Sequence, residues 1–161
     1  MAQAPSFVFY YEQFKNKIYN YFWYRVGFDQ KLAEDLTSEA FLKALKKFAD
    51  FDGARPFGPW IFTIAHNHLV NHYKLAGRET SLTEQENRFE ATGDNLDERL
   101  ELERIIEIIN TMDAADKEVL LLRFTEGLSN SEIAEVLGKA EGTVRTQISR
   151  SLARLRELIK E

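Results

Sequence analysis

Hydrophobic positions recur at helical spacing in two blocks of the chain, separated by a polar stretch. Residues 7–26, FVFYYEQFKNKIYNYFWYRV, predict a helix with more aromatic side chains than one helix can bury without neighbours. Asp29 is placed to cap a second helix, QKLAEDLTSEAFLKALKKFADF, where Leu32, Leu36, Ala40, Phe41, Ala44, Leu45 and Phe48 fall on one side. The Gly- and Pro-rich run DGARPFGP predicts a loop from Asp52 to Pro59, and Trp60 opens a third helix, WIFTIAHNHLVNHYKL. The period resumes at Leu96, with helices expected over 96–111, 114–125, 129–137 and 141–159. No run alternates with the period of two that a strand requires. The pattern therefore predicts an all-α chain of two small helical domains, residues 1–76 and 96–161. The segment between them, 77–95, is polar and nearly free of aliphatic residues, which predicts a flexible acidic linker.

The last two helices carry the clearest motif. In LSNSEIAEVLG, Ser129 can accept a hydrogen bond from the helix while Glu132 reaches back to it, a capping box, and Gly138 follows as a stop. A short helix, a glycine turn and a longer polar helix make a helix-turn-helix. In the longer helix Val144, Ile148, Leu152, Leu155 and Ile159 form one stripe, expected to be buried. The other side carries Thr143, Thr146, Ser149, Arg150 and Arg154, with Arg145 on its flank. Between Thr143 and Arg156 there are four arginines and no acid. Guanidinium forks and short hydroxyls match phosphates and base edges, and in this motif the second helix enters the major groove. The same composition also describes an ordinary solvated face.

A net charge of −5 argues against a nucleic-acid binder until it is located along the chain. Residues 1–74 hold nine basic against seven acidic residues, 75–103 three against nine, and 104–161 nine against ten. The acid is concentrated in the middle, and fields act over about a Debye length of ~8–10 Å, so the ends are free to bind DNA. At 161 residues and 44% hydrophobic content the chain can build real cores. The absence of cysteine excludes disulfides and thiolate metal sites. No apolar run approaches the ~18 residues of a membrane span, and the N-terminus lacks a signal-peptide pattern. The expectation is a cytoplasmic protein without membrane insertion.

One enzyme reading deserves weight. In HNHLVNH, His68 and His72 lie four apart on one face, the geometry of two zinc ligands, which raises a metal-dependent nuclease. The residue after His68 is Leu69, however, where an HExxH site needs Glu, and no third ligand stands at an obvious position. No paired-carboxylate or Ser/His/Asp arrangement rises above chance, so no enzyme activity and no cofactor is expected.

Three segments, in order, resemble bacterial RNA polymerase sigma factors of the extracytoplasmic-function type. EDLTSEAFLKALKKF resembles the family's polymerase-binding helix, PWIFTIAHNHLVNHYK its minus-10 reading helix, and DKEVLLLRFTEGLSNSEIAEVLGKAEGTVRTQISRSLARLREL its minus-35 domain. The resemblance covers nearly the whole chain. It implies a transcription initiation factor that binds core RNA polymerase, recognises promoter DNA at both elements, assists melting, and meets an inhibitory anti-sigma factor. Asp35, Ser38 and Glu39 would dock on the polymerase. Asn67 would hold a flipped base of the minus-10 element, with Phe51, Arg55, Phe57 and Lys74 around it. Thr143, Arg145, Thr146, Ser149 and Arg150 would contact the minus-35 duplex. The chain departs from the family pattern at Ser38, where Gln is common, at Asn71, where Asp is common, and at Ala140, where Ser is common before the last helix. A helix-turn-helix regulator acting without polymerase is the alternative, and the Asp35/Glu39 pair distinguishes the two.

Overall fold

A computed structural model describes residues 4–76 and 96–160; the expected linker lies outside the described residues. Every regular element among the described residues is helical, and the chain divides into two compact units.

The first unit holds α1 (Phe7–Arg25), α2 (Gln30–Lys47) and α3 (Phe57–Ala76). Ser6 caps α1 by accepting from the Phe9 amide, and Asp29 caps α2 by accepting from Leu32 at 3.1 Å. Between them the chain reverses through Gly27 (φ 64°) and Phe28 (φ 63°). A left-handed phenylalanine is strained, and its ring, packed 4.6 Å from that of Trp23, offsets the cost. α2 ends earlier than its pattern suggests, tightening into a 3-10 turn at Phe48–Asp50. Ala33, Ala40 and Ala44 are fully buried on α2, so its backbone lies close to its neighbours, while Ile18, Phe22, Leu36, Ile61 and Phe62 fill the space between the three helices.

Three expectations need correction here. α3 starts at Phe57, not Trp60: Gly58 and Pro59 lie in its first turn, where backbone N–H groups have no intrahelical partner and proline loses nothing. Leu45 belongs to the apolar repeat but is 53% exposed, because no helix among the described residues covers that edge of α2. Phe57 is only 4% exposed; it stacks on Tyr10 at 4.2 Å and is core rather than a platform for bases. Phe51 is half-buried beside it, within 6 Å of Phe48, Phe57, Trp60 and Tyr10.

The second unit holds α4 (Leu96–Asn110), α5 (Ala114–Phe124), α6 (Asn130–Leu137) and α7 (Glu141–Lys160). Val119, Leu120, Leu121 and Leu122 are all fully buried, which requires neighbours on every side of α5; α4, α6 and α7 supply them. The capping box is present, with Glu132 N to Ser129 Oγ at 3.2 Å and Ser129 N to Glu132 Oε1 at 3.1 Å. Gly138, at φ 65°, closes α6, and the Lys139 amide bonds back to the Ala134 carbonyl at 3.0 Å, a Schellman pattern. The buried stripe of α7 differs from its apolar repeat. Ser151 is fully buried, Leu152 is half-buried and Ile159 is 50% exposed, because the core ends at Leu155 and no described residue covers the last turn.

α7 begins after Ala140, which offers no side-chain oxygen to the free amides of its first turn. Ala140→Ser is therefore expected to stabilise the second unit by about 1 kcal/mol, read as a higher denaturant midpoint at unchanged slope. An unchanged midpoint would show that the first-turn amides gain nothing from such a cap.

Candidate nucleic-acid and partner interfaces

On α2, Asp35 and Ser38 are exposed and project beside each other, one turn apart. Glu39 is also exposed, but one of its oxygens is engaged: Oε2 lies 2.8 Å from Nε2 of His68 on α3, and the Nζ of Lys43 lies 2.8 Å from Nδ1 of the same ring. Burial pulls the His68 pKa down; the Glu39 hydrogen bond opposes this, Lys43 reinforces it, and the net shift is downward. The helical stripe from Asp35 and Ser38 runs on through Leu42 and Leu45, both more than half exposed, into an apolar groove completed by Phe7, Val8 and Tyr11 of α1. Leu42 lies off the apolar repeat of α2, whereas the exposure of Leu45 gave no signal in the sequence, since apolar residues at that spacing usually mark a buried side.

On α3, Asn67, Asn71 and Lys74 are exposed and follow one another at helical spacing along one polar stripe. Arg55 is exposed in the loop before the helix. The structure thus gathers Asn67 and Lys74 on one face and withdraws Phe57 from the surface. The three histidines are divided. His66 and His72 are half-buried, and His68 has both ring nitrogens occupied within the protein. Among the described residues no group of three or more His, Cys, Asp or Glu has the placement of a metal site.

On α7, Thr143, Arg145, Thr146, Ser149 and Arg150 are all exposed. Arg145 lies 3.7 Å from Glu141 one turn earlier, a surface pair that competing phosphates can displace. Arg150 makes no hydrogen bond or ion pair with any described residue, and with Thr143 and Thr146 it lines a shallow depression facing the start of α5. Arg154 differs from its neighbours. Its guanidinium is bonded to Asp116 of α5 and lies 3.8 Å from Asp113, so it is spent within the fold. Asp116, nearly buried, also accepts from the Ser151 hydroxyl at 2.7 Å. Burial alone would raise its pKa, but the hydrogen bonds from Ser151 and Arg154, with the Arg154 charge, outweigh it and hold the carboxyl below the ordinary aspartate value.

Among the described residues, seven α-helices in two units, the second a capped helix-turn-helix with an open polar face, define a DNA-binding protein class. Family models resolve that class further: sigma-70 region 2 matches residues 10–79 and sigma-70 region 4 matches residues 102–155. The chain is 36% identical over 96% of its length to the extracytoplasmic-function sigma factor BldN of Streptomyces coelicolor, of which it spans 61%. It is 30% identical to the sigma factor CnrH of Cupriavidus metallidurans, over 83% of this chain and 76% of that one. The solved complex of CnrH with the cytosolic domain of CnrY superposes with a TM-score of 0.73 at 25% identity, covering 96% of this chain and 87% of that chain. The sigma factor RpoE of Bartonella quintana, solved with the anti-sigma factor NepR, shares the fold with a TM-score of 0.76 at 24% identity, over 96% of both chains. This chain belongs to the sigma-70 family of RNA polymerase sigma factors, in its extracytoplasmic-function branch.

Proposed function

We propose that this protein binds core RNA polymerase through its first unit and directs the enzyme to promoters, residues 1–76 engaging polymerase and the minus-10 element and residues 96–161 gripping the minus-35 element across the 77–95 connection. It acts by binding and not by catalysis, in the cytoplasm where polymerase and DNA are found. The observation that carries this reading is the open face of α7, where Thr143, Arg145, Thr146, Ser149 and Arg150 all reach solvent on the second helix of a helix-turn-helix. Asp35, Ser38 and Glu39 form the docking face, and Asn67, with Arg55 and Lys74 near it in the sequence, meets the opened minus-10 strand. The complex of CnrH with CnrY supports a further partner, a regulatory protein that occupies this chain when it is not on polymerase.

Transcription by core polymerase from a library of genomic fragments tests the reading directly. With this protein added, transcripts should start from a discrete set of fragments that share two spaced elements. Transcription no different from that of core enzyme alone would overturn the proposal, and duplex binding without it would point to a regulator that needs no docking.

Two substitutions divide the work between the units. Arg150→Ala is expected to weaken binding to a minus-35 duplex, while Asn67→Ala leaves that affinity unchanged and impairs strand opening, scored by permanganate reactivity. If Arg150 reads a base, its loss relaxes preference at one position by ~1–3 kcal/mol; if it holds a phosphate, the salt slope falls by about one. An Arg150→Ala protein that binds and transcribes like the parent would show the α7 face to be merely solvated.

A further inference from the structure

His68 has no role in the reading above, yet it is the side chain that joins the docking helix to the promoter-reading helix. Its ring sits 9% exposed between Glu39 and Lys43 of α2, edge-on to Phe22 of α1 at 6.3 Å. An ammonium only donates and an ionised carboxylate only accepts, so the two 2.8 Å contacts specify one state of the ring: neutral, with Nδ1 accepting from Lys43 and Nε2–H donating to Glu39. The net charge environment is consistent with that state. The charged or titratable groups acting on the ring are Glu39 and Lys43 from α2 and His72 from its own helix, while α1 offers Phe22.

The interposed ring changes what Glu39 can do. Glutamate and lysine four residues apart on a helix ordinarily pair with each other along its surface, which would lay the carboxylate down and satisfy it. Here the imidazole stands between them, and no direct Glu39–Lys43 bridge forms. Glu39 is held at Oε2, is still 56% exposed at its side chain, and keeps Oε1 for an incoming lysine or arginine. A carboxylate already fixed in place loses less rotamer freedom when a partner arrives than one that samples solvent.

We propose that His68 is a positioning residue for polymerase docking: bridging Lys43 and Glu39, it presents the Glu39 carboxylate to a basic group of core polymerase and ties that face to the helix carrying Asn67. The inference rests on the docking reading of Glu39. It also gives a physical link between the two activities of the first unit, since Asn67 and His68 are consecutive on α3 and cannot shift independently.

The test is a set of affinities for core polymerase, measured with full-length protein: parent, Glu39→Gln, His68→Phe, His68→Gln and the Glu39→Gln/His68→Phe pair. Glutamine can donate to Glu39 and accept from Lys43 without titrating. His68→Phe should weaken binding about threefold to tenfold, the scale of ordering one side chain, and His68→Gln should restore affinity to within about twofold. In the Glu39→Gln background His68→Phe should add nothing, because its effect runs through Glu39. Additive losses, or parent affinity in His68→Phe, would overturn the inference. Parent affinity in Glu39→Gln would instead remove the docking role of Glu39, and the positioning role with it, a failure recognisable from that variant alone. Should His68→Phe not fold, Lys43→Met leaves the buried ring in place and should weaken binding in the same non-additive way; full affinity there would count against the bridge. Nitrogen-15 shifts of the His68 ring at pH 7.5 provide a readout independent of polymerase, with the proton expected on Nε2, and a proton on Nδ1 would contradict the geometry.

Discussion

Asp35→Lys combined with Glu39→Lys is expected to abolish binding to core polymerase, a loss of about 3 kcal/mol or more, beyond a hundredfold in affinity. Both residues are exposed, so reversal leaves the core intact and converts two attractions into two repulsions against a basic partner. The two positions are not equivalent within the fold. Asp35 touches nothing that α2 needs, whereas Glu39→Lys removes the acceptor of the nearly buried His68 Nε2–H and sets a second ammonium near Lys43. The double variant should therefore melt somewhat earlier, by the ~1–2 kcal/mol of one unmet polar group, and Asp35→Lys alone should melt like the parent. Pull-down of polymerase, with circular dichroism to verify the fold, reads both effects. Undiminished recovery of polymerase by the double variant would remove the docking face from α2.

In the second unit the largest effect is expected from Asp116→Ala. The carboxylate straps α5 to α7, accepting from Ser151, which is fully buried, and from Arg154. Its removal leaves the Ser151 hydroxyl without that partner in the core and should destabilise the unit by about 2–3 kcal/mol, most of it from Ser151, since Arg154 is more than half exposed and screened by water. The pH dependence has a definite sign. The folded pKa of Asp116 lies below the ordinary 3.8, so in that window the unfolded chain binds the proton and the folded chain does not. The strap thus contributes fully above that value and is lost as pH falls through the folded pKa; Asp116→Ala should lack this part of the acid sensitivity. The same change frees the Arg154 guanidinium from its nearer carboxylate, leaving the exposed Asp113 at 3.8 Å, so non-specific duplex binding should strengthen and its salt slope steepen by up to about one unit. A variant of unchanged stability and unchanged salt slope would show that Arg154 and Ser151 do not depend on Asp116.

The helices were legible because their signals are local. The Asp29 cap, the Ser129/Glu132 box and the Gly138 stop each act within one turn, and a 3.6-residue period needs no knowledge of the rest of the molecule. What stayed hidden depends on which neighbour covers which side. Leu45 fits an apolar repeat as well as Leu36 does, but among the described residues Leu36 is covered and Leu45 is not. Ser151 reads as polar surface until Asp116, 35 residues earlier, is seen to meet it, and Arg154 reads as a DNA contact until the same carboxylate claims it. His68 reads as half of a metal-ligand pair until its partners, 25 and 29 residues away on another helix, are seen. Pro59 reads as the end of a Gly- and Pro-rich loop; its place in a first turn, where proline is harmless, depends on Phe57 anchoring the start.

The packing of aromatic rings into the first unit also decides what light can report. Both tryptophans, Trp23 and Trp60, and all six tyrosines lie before residue 74, so the second unit contributes no indole or phenol to absorbance at 280 nm. Intrinsic emission is a probe of the first unit alone, with Trp60 half-buried 4.9 Å from Phe51 at the edge of its ring cluster. Duplex DNA captured by α7 would be optically silent, and a quench or shift on adding promoter would time the engagement of the first unit without any label.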